Sequence, residues 1–249
     1  MPNASTLIVV PCYNEETRLP QEAFRIFMAS SADFRFLFVD DGSSDKTFEA
    51  LDSLKKNFKE KVQILRLEKN SGKAEAVRLG FLEGLKSKPN FMAYWDADLA
   101  TPLDVLPRFL ELFHERPDLE MIFGARVKLL GHDIQRRLSR HYLGRVFATC
   151  ASFVLGLPIY DTQCGAKMFR VTKNLETLFQ QPFHSKWIFD VELIARYLKS
   201  KKSSRDFDPE NCICELPLPV WKDVRGSKVK PGDFFKAFGE LVAIYRRYR

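Results

Sequence analysis

The chain has 249 residues, of which 45% are hydrophobic and 29% are charged, which is ample for a globular core. That length suits one larger α/β domain or two small ones. The net charge of +7 suits polyanionic ligands such as nucleotide diphosphates, nucleic acid or an anionic membrane face, and does not choose among them.

The five cysteines are odd in number and irregularly spaced, and none forms a Cys-x-x-Cys pair. Neither a zinc site nor a disulfide framework is therefore indicated, and reduced thiols predict a cytoplasmic protein. No signal peptide is recognisable, and no apolar run approaches the roughly 20 residues needed to span a bilayer. Any membrane association is therefore expected to be peripheral.

Four apolar runs in the first half each end in polar residues and are followed by a helical pattern. They end near positions 10, 39, 67 and 95, a spacing of about 28 residues that matches a βαβ unit. Such units form a parallel sheet, and ligands bind at the carboxyl ends of its strands. The polar residues at these ends are Tyr13, Asn14, Glu15, Asp40, Asp41, Asn70, Lys73, Asp96 and Asp98. The pattern predicts one shared site, with unrelated turns as the alternative.

Asp96 and Asp98 follow the fourth run, and residues two apart share a face in extended chain. Two neighbouring carboxylates repel unless a cation lies between them, so the pair suits Mg²⁺ or Mn²⁺, although a solvated turn is the simpler alternative. Lys73 at a helix start suits phosphate. Neither a Walker loop nor a G-x-G-x-x-G fingerprint is present, which argues against NAD binding.

Four segments resemble, in order, the motifs of family 2 glycosyltransferases of GT-A fold, and the nearest branch resembles the dolichyl- or polyprenyl-phosphate sugar transferases. The segments are Pro11–Glu16, Val39–Asp45, Asn70–Lys73 and Asp96–Asp98. The resemblance covers nearly the whole chain. It implies one α/β GT-A domain over residues 1–249, with a Rossmann-like, mostly parallel sheet flanked by helices. Residues 1–118 would form the nucleotide-binding half and residues 119–249 the acceptor-binding half, with membrane-facing C-terminal helices.

The same resemblance implies a set of site residues. Nucleotide-sugar contacts would come from Pro11, Tyr13, Asn14, Glu15, Asp40, Asp41, Lys73, Asp96, Ala97, Asp98, Gln163 and Asp190. Asp98 would bind the Mg²⁺ or Mn²⁺ directly, with Asp96 beside it. The mannosyl branch usually has glutamine as a further metal ligand where this chain has Ala100, which implies weak metal binding or membership of the glucosyl branch.

In the second half, a strand over residues 119–123 and a basic-then-apolar helix over 134–155 are predicted. By the resemblance, Arg126 and Arg140 would bind a lipid phosphate, and Lys228, in a loop closing over the diphosphate, would act with Asp98 in catalysis. Asp161–Lys167 is similar to a box of the dolichyl-phosphate glucosyltransferases. Residues 213–221 are predicted to form an edge strand, and the last helix, over 233–249, could lie on a bilayer or simply pack on the core.

The resemblance implies an inverting hexosyltransferase that uses a nucleotide-diphosphate sugar, with UDP-glucose favoured, and a polyprenyl-phosphate acceptor. GDP-mannose or another donor, or a hydroxyl acceptor, are the alternatives; the latter would need a base such as Asp161, Asp190 or Glu192. A sugar-1-phosphate nucleotidyltransferase should have a different loop after the first strand. No nucleic-acid partner is expected, because a basic binding module would not need carboxylates at the strand ends.

Overall fold

The computed structural model describes residues 6–31, 33–135, 138–202, 207–224 and 232–248, with backbone only for 138–141 and 232–235. The strands are β1 (Thr6–Cys12), β2 (Phe34–Asp40), β3 (Val62–Arg66), β4 (Phe91–Trp95), β5 (Met121–Ala125), β6 (Asp133–Gln135), β7 (Ala166–Arg170), β8 (Ile213–Pro217) and β9 (Val220–Lys222). The helices are α1 (Gln21–Ser30), α2 (Thr47–Asn57), α3 (Lys73–Leu85), α4 (Leu106–Glu115), α5 (Leu138–Leu155), α6 (Lys173–Gln180), α7 (Phe189–Lys201), α8 (Pro209–Cys212) and α9 (Gly232–Tyr248), with a 3₁₀ turn at Leu103–Val105.

Seven of the strands form one sheet in the order β3-β2-β1-β4-β7-β5-β8. All neighbouring pairs are parallel except those of β7, which runs antiparallel to both β4 and β5. The order reverses at β1, which has β2 on one side and β4 on the other. In an α/β sheet such a reversal opens a crevice at the carboxyl ends of the strands.

The first strands read as continuous apolar runs because both faces of the sheet are covered. Ile8 and Val10 enter one buried cluster, whereas Leu7 and Val9 enter the cluster on the other face. Helix α3 approaches β1 closely at Gly80, where an added Cβ would come within 2.4 Å of the Val9 side chain. The glycine therefore allows α3 to pack closely against the sheet. This close packing positions the start of α3 at the crevice.

Two predicted elements differ from the observed ones. The predicted helix over 134–155 begins only at Leu138, because Ile134 is buried in β6 and pairs with Trp221 of β9. The predicted strand over 213–221 is split into β8, which lies at the sheet edge as expected, and β9. Pro219 lies between the two strands and lacks an N–H for a ladder, but its carbonyl accepts from the Asp133 N–H at 2.9 Å.

Helices α5, α7 and α9 pack together around a third apolar cluster that includes Phe147, Val191 and Leu241. None of the described helices is both long enough and apolar enough to cross a bilayer.

Candidate active site

A cavity of 530 Å³ lies at the carboxyl ends of β1, β2 and β4, and the second half of the chain supplies its opposite wall from α5, residues 160–163 and the start of α7. Of the residues predicted for the site, Pro11, Tyr13, Glu15, Asp41, Lys73, Asp96, Ala97, Asp98, Arg126, Gln163 and Asp190 line it. The Lys228 prediction and the side chain of Arg140 lie outside the described residues. The sequence motifs therefore converge on one cleft.

Asn14 and Asp40 do not line the cavity and instead brace its rim. The Asn14 N–H donates to the Ser43 hydroxyl at 3.1 Å, and the Asn14 side-chain oxygen accepts from the Ser44 N–H at 2.9 Å. The fully buried Asp40 carboxylate accepts from the Ser43 N–H at 3.0 Å and lies 3.4 Å from Arg66. These bonds hold the loops after β1 and β2 to each other.

Asp41 ties the end of β2 to the start of α3. Its two carboxylate oxygens accept from the backbone N–H groups of Ser71 at 2.7 Å and Gly72 at 2.9 Å. Burial raises the pKa of Asp41, although these two hydrogen bonds oppose the rise. Gly72 has φ +92°, a conformation that favours glycine, and the turn it makes places Lys73 as the first residue of α3.

Asp96 and Asp98 each form an ion pair with a cation on the same side of the cavity. Lys73 Nζ lies 2.5 Å from Asp96, and Arg18 lies 2.8 Å from Asp98 and 3.5 Å from Glu15. The Lys73 and Asp96 side chains are 41% and 37% exposed. The carboxylate pair is therefore neutralised by side chains that remain open to the cleft.

The charged side chains in this cluster shift one another's pKa values. Burial and the neighbouring Asp96 raise the pKa of Asp98, whereas Arg18 and Lys73 oppose the rise. For Lys73, burial disfavours the charged form, but Asp96 and Asp190 outweigh it and raise the pKa of the ammonium. Lys73 is therefore a cation at neutral pH, placed to meet an anionic ligand.

Asp96 and Asp98 are the carboxylates that the sequence predicts for a metal site. Within the described ranges, no group of three or more His, Cys, Asp or Glu side chains is placed to hold a metal ion. Ala100 lines the cavity without offering a ligand atom. Mg²⁺ commonly binds one or two carboxylates together with substrate phosphates and water, so Asp96 and Asp98 fit an ion that a diphosphate completes.

On the opposite wall, Arg126 is sealed in a bidentate ion pair with Asp161, at 2.6 and 2.8 Å. Glu215 holds Asp161 in turn, by accepting from the backbone N–H groups of Tyr160 and Asp161 at 2.7 Å each. Burial lowers the pKa of the Arg126 guanidinium, but Asp161 outweighs it and the pKa is raised. Arg126 and Asp161 are thus fixed parts of the wall.

Asp190 lies at the start of α7 over a buried lysine. Lys167 Nζ is 2.8 Å from Asp190 and 2.6 Å from the Cys164 carbonyl, and the Tyr94 hydroxyl also donates to Asp190. Burial raises the pKa of Asp190 and lowers that of Lys167. Asp190 lines the cavity, and Lys167 lies fully buried behind it.

Comparison with known proteins assigns the chain to a family. A family model described as Glycosyl transferase family 2 matches residues 7–177. The chain belongs to glycosyltransferase family 2. The family resemblance of its motifs is thereby confirmed.

Two similar proteins share the name dolichyl-phosphate beta-glucosyltransferase. This family 2 chain is 33% identical to the one from Drosophila melanogaster over 275 residues, covering 99% of this chain and 76% of that protein. It is 32% identical to the one from Homo sapiens over 264 residues, covering 99% and 76%.

A solved structure with a similar fold is glucosyl-3-phosphoglycerate synthase from Mycobacterium tuberculosis in complex with UDP. Its TM-score is 0.66 at 15% identity, over 98% of this chain and 80% of that one. This likeness and the mostly parallel, helix-flanked sheet confirm the GT-A fold expected from the sequence.

Three residues of this glycosyltransferase site were missed by sequence reasoning. Arg18 has no recognisable motif around it, and only the fold brings it to Asp98. Gly165 lies within the Asp161–Lys167 motif, but the sequence predicted no role for it. An added Cβ there would lie 1.9 Å from the Asp96 carboxylate. The Gly165 carbonyl also accepts from the Asp96 N–H at 2.9 Å. The motif glycine therefore makes room for Asp96.

Arg145 is the third, and was predicted only as part of a basic helix face. It lines the cavity, stacks on the Tyr160 ring at 3.6 Å and donates to the Tyr160 carbonyl at 3.1 Å. In the part of the chain that the structure describes, no Asp or Glu side chain pairs with it. Arg145 thus keeps hydrogen-bond donors for an anion, unlike Arg126.

Proposed function

We propose that this family 2 glycosyltransferase moves a hexose from a nucleotide-diphosphate sugar, with UDP-glucose favoured, to a polyprenyl phosphate, with inversion at the anomeric carbon. The observation that carries the proposal is that Asp96 and Asp98 pair with two cations on one side of the cavity, while Arg145 on the other wall has no carboxylate partner among the described residues. The names of the relatives support the acceptor class.

On the donor side, Tyr13, Glu15 and Asp41 form the part of the rim that takes the base and ribose. Lys73 lies at the N-terminal end of α3, where a lysine and helix N–H groups favour phosphate. Mg²⁺ or Mn²⁺ held by Asp96 and Asp98 would supply charge neutralisation at the departing diphosphate. In that arrangement Lys73 releases Asp96 and pairs with phosphate oxygens.

On the acceptor side, the pairing of each candidate base favours a phosphate over a hydroxyl. A hydroxyl acceptor needs a carboxylate free to take its proton, whereas a phosphate is already an anion at neutral pH. Asp161 is engaged by Arg126, Asp190 by Lys167, and Glu192 by its own buried network. Glu192 accepts from Arg196 and Tyr248, both at 2.8 Å.

Positioning of the two reactants then supplies most of the catalysis. Arg145 would orient the acceptor phosphate through its remaining N–H donors, and Arg140 and Lys228 stay predicted partners of the anionic groups. Arg126 would contribute positive potential at the wall while its donors hold Asp161. Gln163 also faces the cavity, and its buried side-chain nitrogen has no hydrogen-bond partner within the described part of the chain, which suits a sugar hydroxyl.

A polyprenyl acceptor is embedded in a bilayer, and one face of the molecule suits contact with its surface. Tyr142, Val146 and Phe153 form an exposed stripe on α5, at 68%, 56% and 72% exposure. Phe238 and Val242 continue the exposed apolar face on α9. Such a face favours peripheral contact with headgroups, in keeping with the basic ends of these helices.

The test is a transfer assay with radiolabelled UDP-glucose and GDP-mannose against polyprenyl phosphate, free polyprenol and a soluble glycan. We expect an acid-labile glycosyl phosphate from UDP-glucose and polyprenyl phosphate, dependent on Mg²⁺ or Mn²⁺, with inverted anomeric configuration by NMR. Transfer to the hydroxyl acceptors but not to the phosphate would contradict the proposal. Sedimentation with anionic vesicles, lost on changing Val146 and Phe153 to Ser, tests the membrane face separately.

A further inference from the structure

Helix α7 begins at the cavity wall without a cap from its own sequence. Ile188 occupies the N-cap position and offers no side-chain acceptor to the free N–H groups of the first turn. The two N–H groups directly before the helix, by contrast, have a partner on another element. The N–H groups of Trp187 and Ile188 both donate to one carboxylate oxygen of Glu240, at 3.2 Å each.

The cap comes from a different helix, since Glu240 belongs to α9 and lies 52 residues beyond Ile188 in the chain. Ser185 completes the arrangement: its hydroxyl accepts from the Ile188 N–H at 2.9 Å and donates to the Glu240 carboxylate. Ser185 is only 2% exposed, so water is a poor substitute for these bonds. A negative charge at a helix N-terminus is also favoured by the helix dipole.

The capped turn carries cavity residues. Trp187 and Asp190 both line the cavity, and Trp187 is 37% exposed there. The side chain of Asp190 is held from below by Lys167, but its backbone position depends on where α7 starts. A loss of the cap would let the first turn fray and displace both side chains together.

We propose that Glu240 is a positioning residue: through Ser185 and the N–H groups of Trp187 and Ile188, it holds Trp187 and Asp190 at the cavity, where Asp190 is a predicted contact of the nucleotide-sugar donor. The identification of that ligand as a sugar rests on the proposed function. The contact itself does not.

A merely structural bond between α7 and α9 is the competing explanation, and the chain offers a matched control for it. Tyr248, also on α9, donates to Glu192 of α7 at 2.8 Å, away from the cavity. Tyr248→Phe therefore removes a hydrogen bond between the same two helices and leaves both the Glu240 carboxylate and the Ser185 hydroxyl in place. Glu240→Gln keeps an acceptor oxygen and removes only the charge.

The experiment compares these variants and Glu240→Ala in two measurements. In steady-state kinetics with UDP-glucose and polyprenyl phosphate, Glu240→Ala should raise the donor KM about five- to tenfold, as expected for the loss of one cap, and change kcat less than about threefold. Glu240→Gln should restore most of the donor KM, and Tyr248→Phe should leave it unchanged. Amide hydrogen exchange at residues 187–190 should rise by the same factor in Glu240→Ala only.

Equal effects of Glu240→Ala and Tyr248→Phe on the donor KM and on exchange would overturn the inference, as would an unchanged exchange rate at residues 187–190. If the wild-type protein transferred no sugar to lipid phosphate, the proposed function would fail, yet the exchange measurement would still decide whether Glu240 fixes this turn.

Discussion

The two sides of the cavity hold their charges in different ways. On the donor side, Lys73–Asp96 and Arg18–Asp98 are ion pairs whose side chains are 19–41% exposed. On the opposite wall, the Arg126–Asp161 and Lys167–Asp190 pairs are at most 12% exposed. Exposed pairs gain little and exchange partners readily, whereas a buried pair is costly to break. The donor side is thus built to give up its pairings to a ligand, and the opposite wall to keep them.

The largest effect is expected when the Asp98 carboxylate is removed from the donor side. Asp98→Ala should lower transfer by on the order of 10³-fold, because the carboxylate that would hold the metal and diphosphate is gone. The melting temperature should stay within about 2 °C, since the exposed ion pair contributes little and repulsion with Asp96 is relieved. The control is Asp104→Ala, an exposed acid on the following turn. A fully active Asp98→Ala enzyme would refute the metal role.

Lys167 and Lys73 are expected to differ in how much each contributes to the free energy of unfolding. Lys167→Met should lower the free energy of unfolding by about 3–5 kcal/mol, because it leaves the buried Asp190 without its cationic partner. Lys73→Met should lower it by less than about 1 kcal/mol while reducing donor affinity, because its pair is open to solvent. Urea unfolding monitored by circular dichroism measures both. Equal losses of stability would erase the distinction between the two sides.

A substitution at Gly165 tests how closely the two sides of the cavity pack against each other at Asp96. Gly165→Ala should reduce kcat/KM by about 10²-fold, because the new Cβ must displace the Asp96 carboxylate or the strand that carries it. Gly239→Ala is the matched control, since nothing lies within 4 Å of its added Cβ. We expect that variant to keep full activity and to be slightly more stable, as alanine favours helix. An active Gly165→Ala enzyme would show that Asp96 is free to move.

The smallest expected effect concerns Arg145 and tests whether its wall of the cavity binds the acceptor. Arg145→Ala should raise the KM for polyprenyl phosphate about tenfold, because one charge-assisted hydrogen-bond donor group is lost, and leave the KM for the donor unchanged. Arg145→Lys should recover part of the affinity, because it keeps the charge without the planar donors. Acceptor-dependent kinetics at saturating donor measures it. A rise confined to the donor KM would move Arg145 out of the acceptor site.

Much of the donor rim was predictable because it follows from local pattern. Apolar runs buried on both faces of a parallel sheet are recognisable in sequence, and the residues that end them meet at one edge whatever the rest of the fold does. Asp41, Lys73, Asp96 and Asp98 were placed at the cleft on that ground alone. The family resemblance then supplied the expected ligands, and Asn14 and Asp40 show that membership of a motif does not ensure contact with the cavity.

The acceptor wall was harder to predict, because its residues acquire their surroundings from distant parts of the chain. Nothing near Arg126 indicates that Asp161 will occupy its donors, and nothing near Arg145 indicates that it will be left without a carboxylate. The helix predicted from residue 134 began later because β9, more than eighty residues away, pairs with Ile134. Short apolar segments of this kind read equally well as helix or strand until a partner strand is known.

By itself, therefore, the sequence determined the alternating strands and helices of the first half, the family, and the rim where the carboxylates gather, since all three follow from local patterns in the chain. Only the tertiary structure decided which charges are paired, which arginine stays available and which distant glutamate caps α7. Pairing is a matter of packing between elements, and an ionisable side chain looks the same in sequence whether its partner is water, a ligand or a residue a hundred positions away.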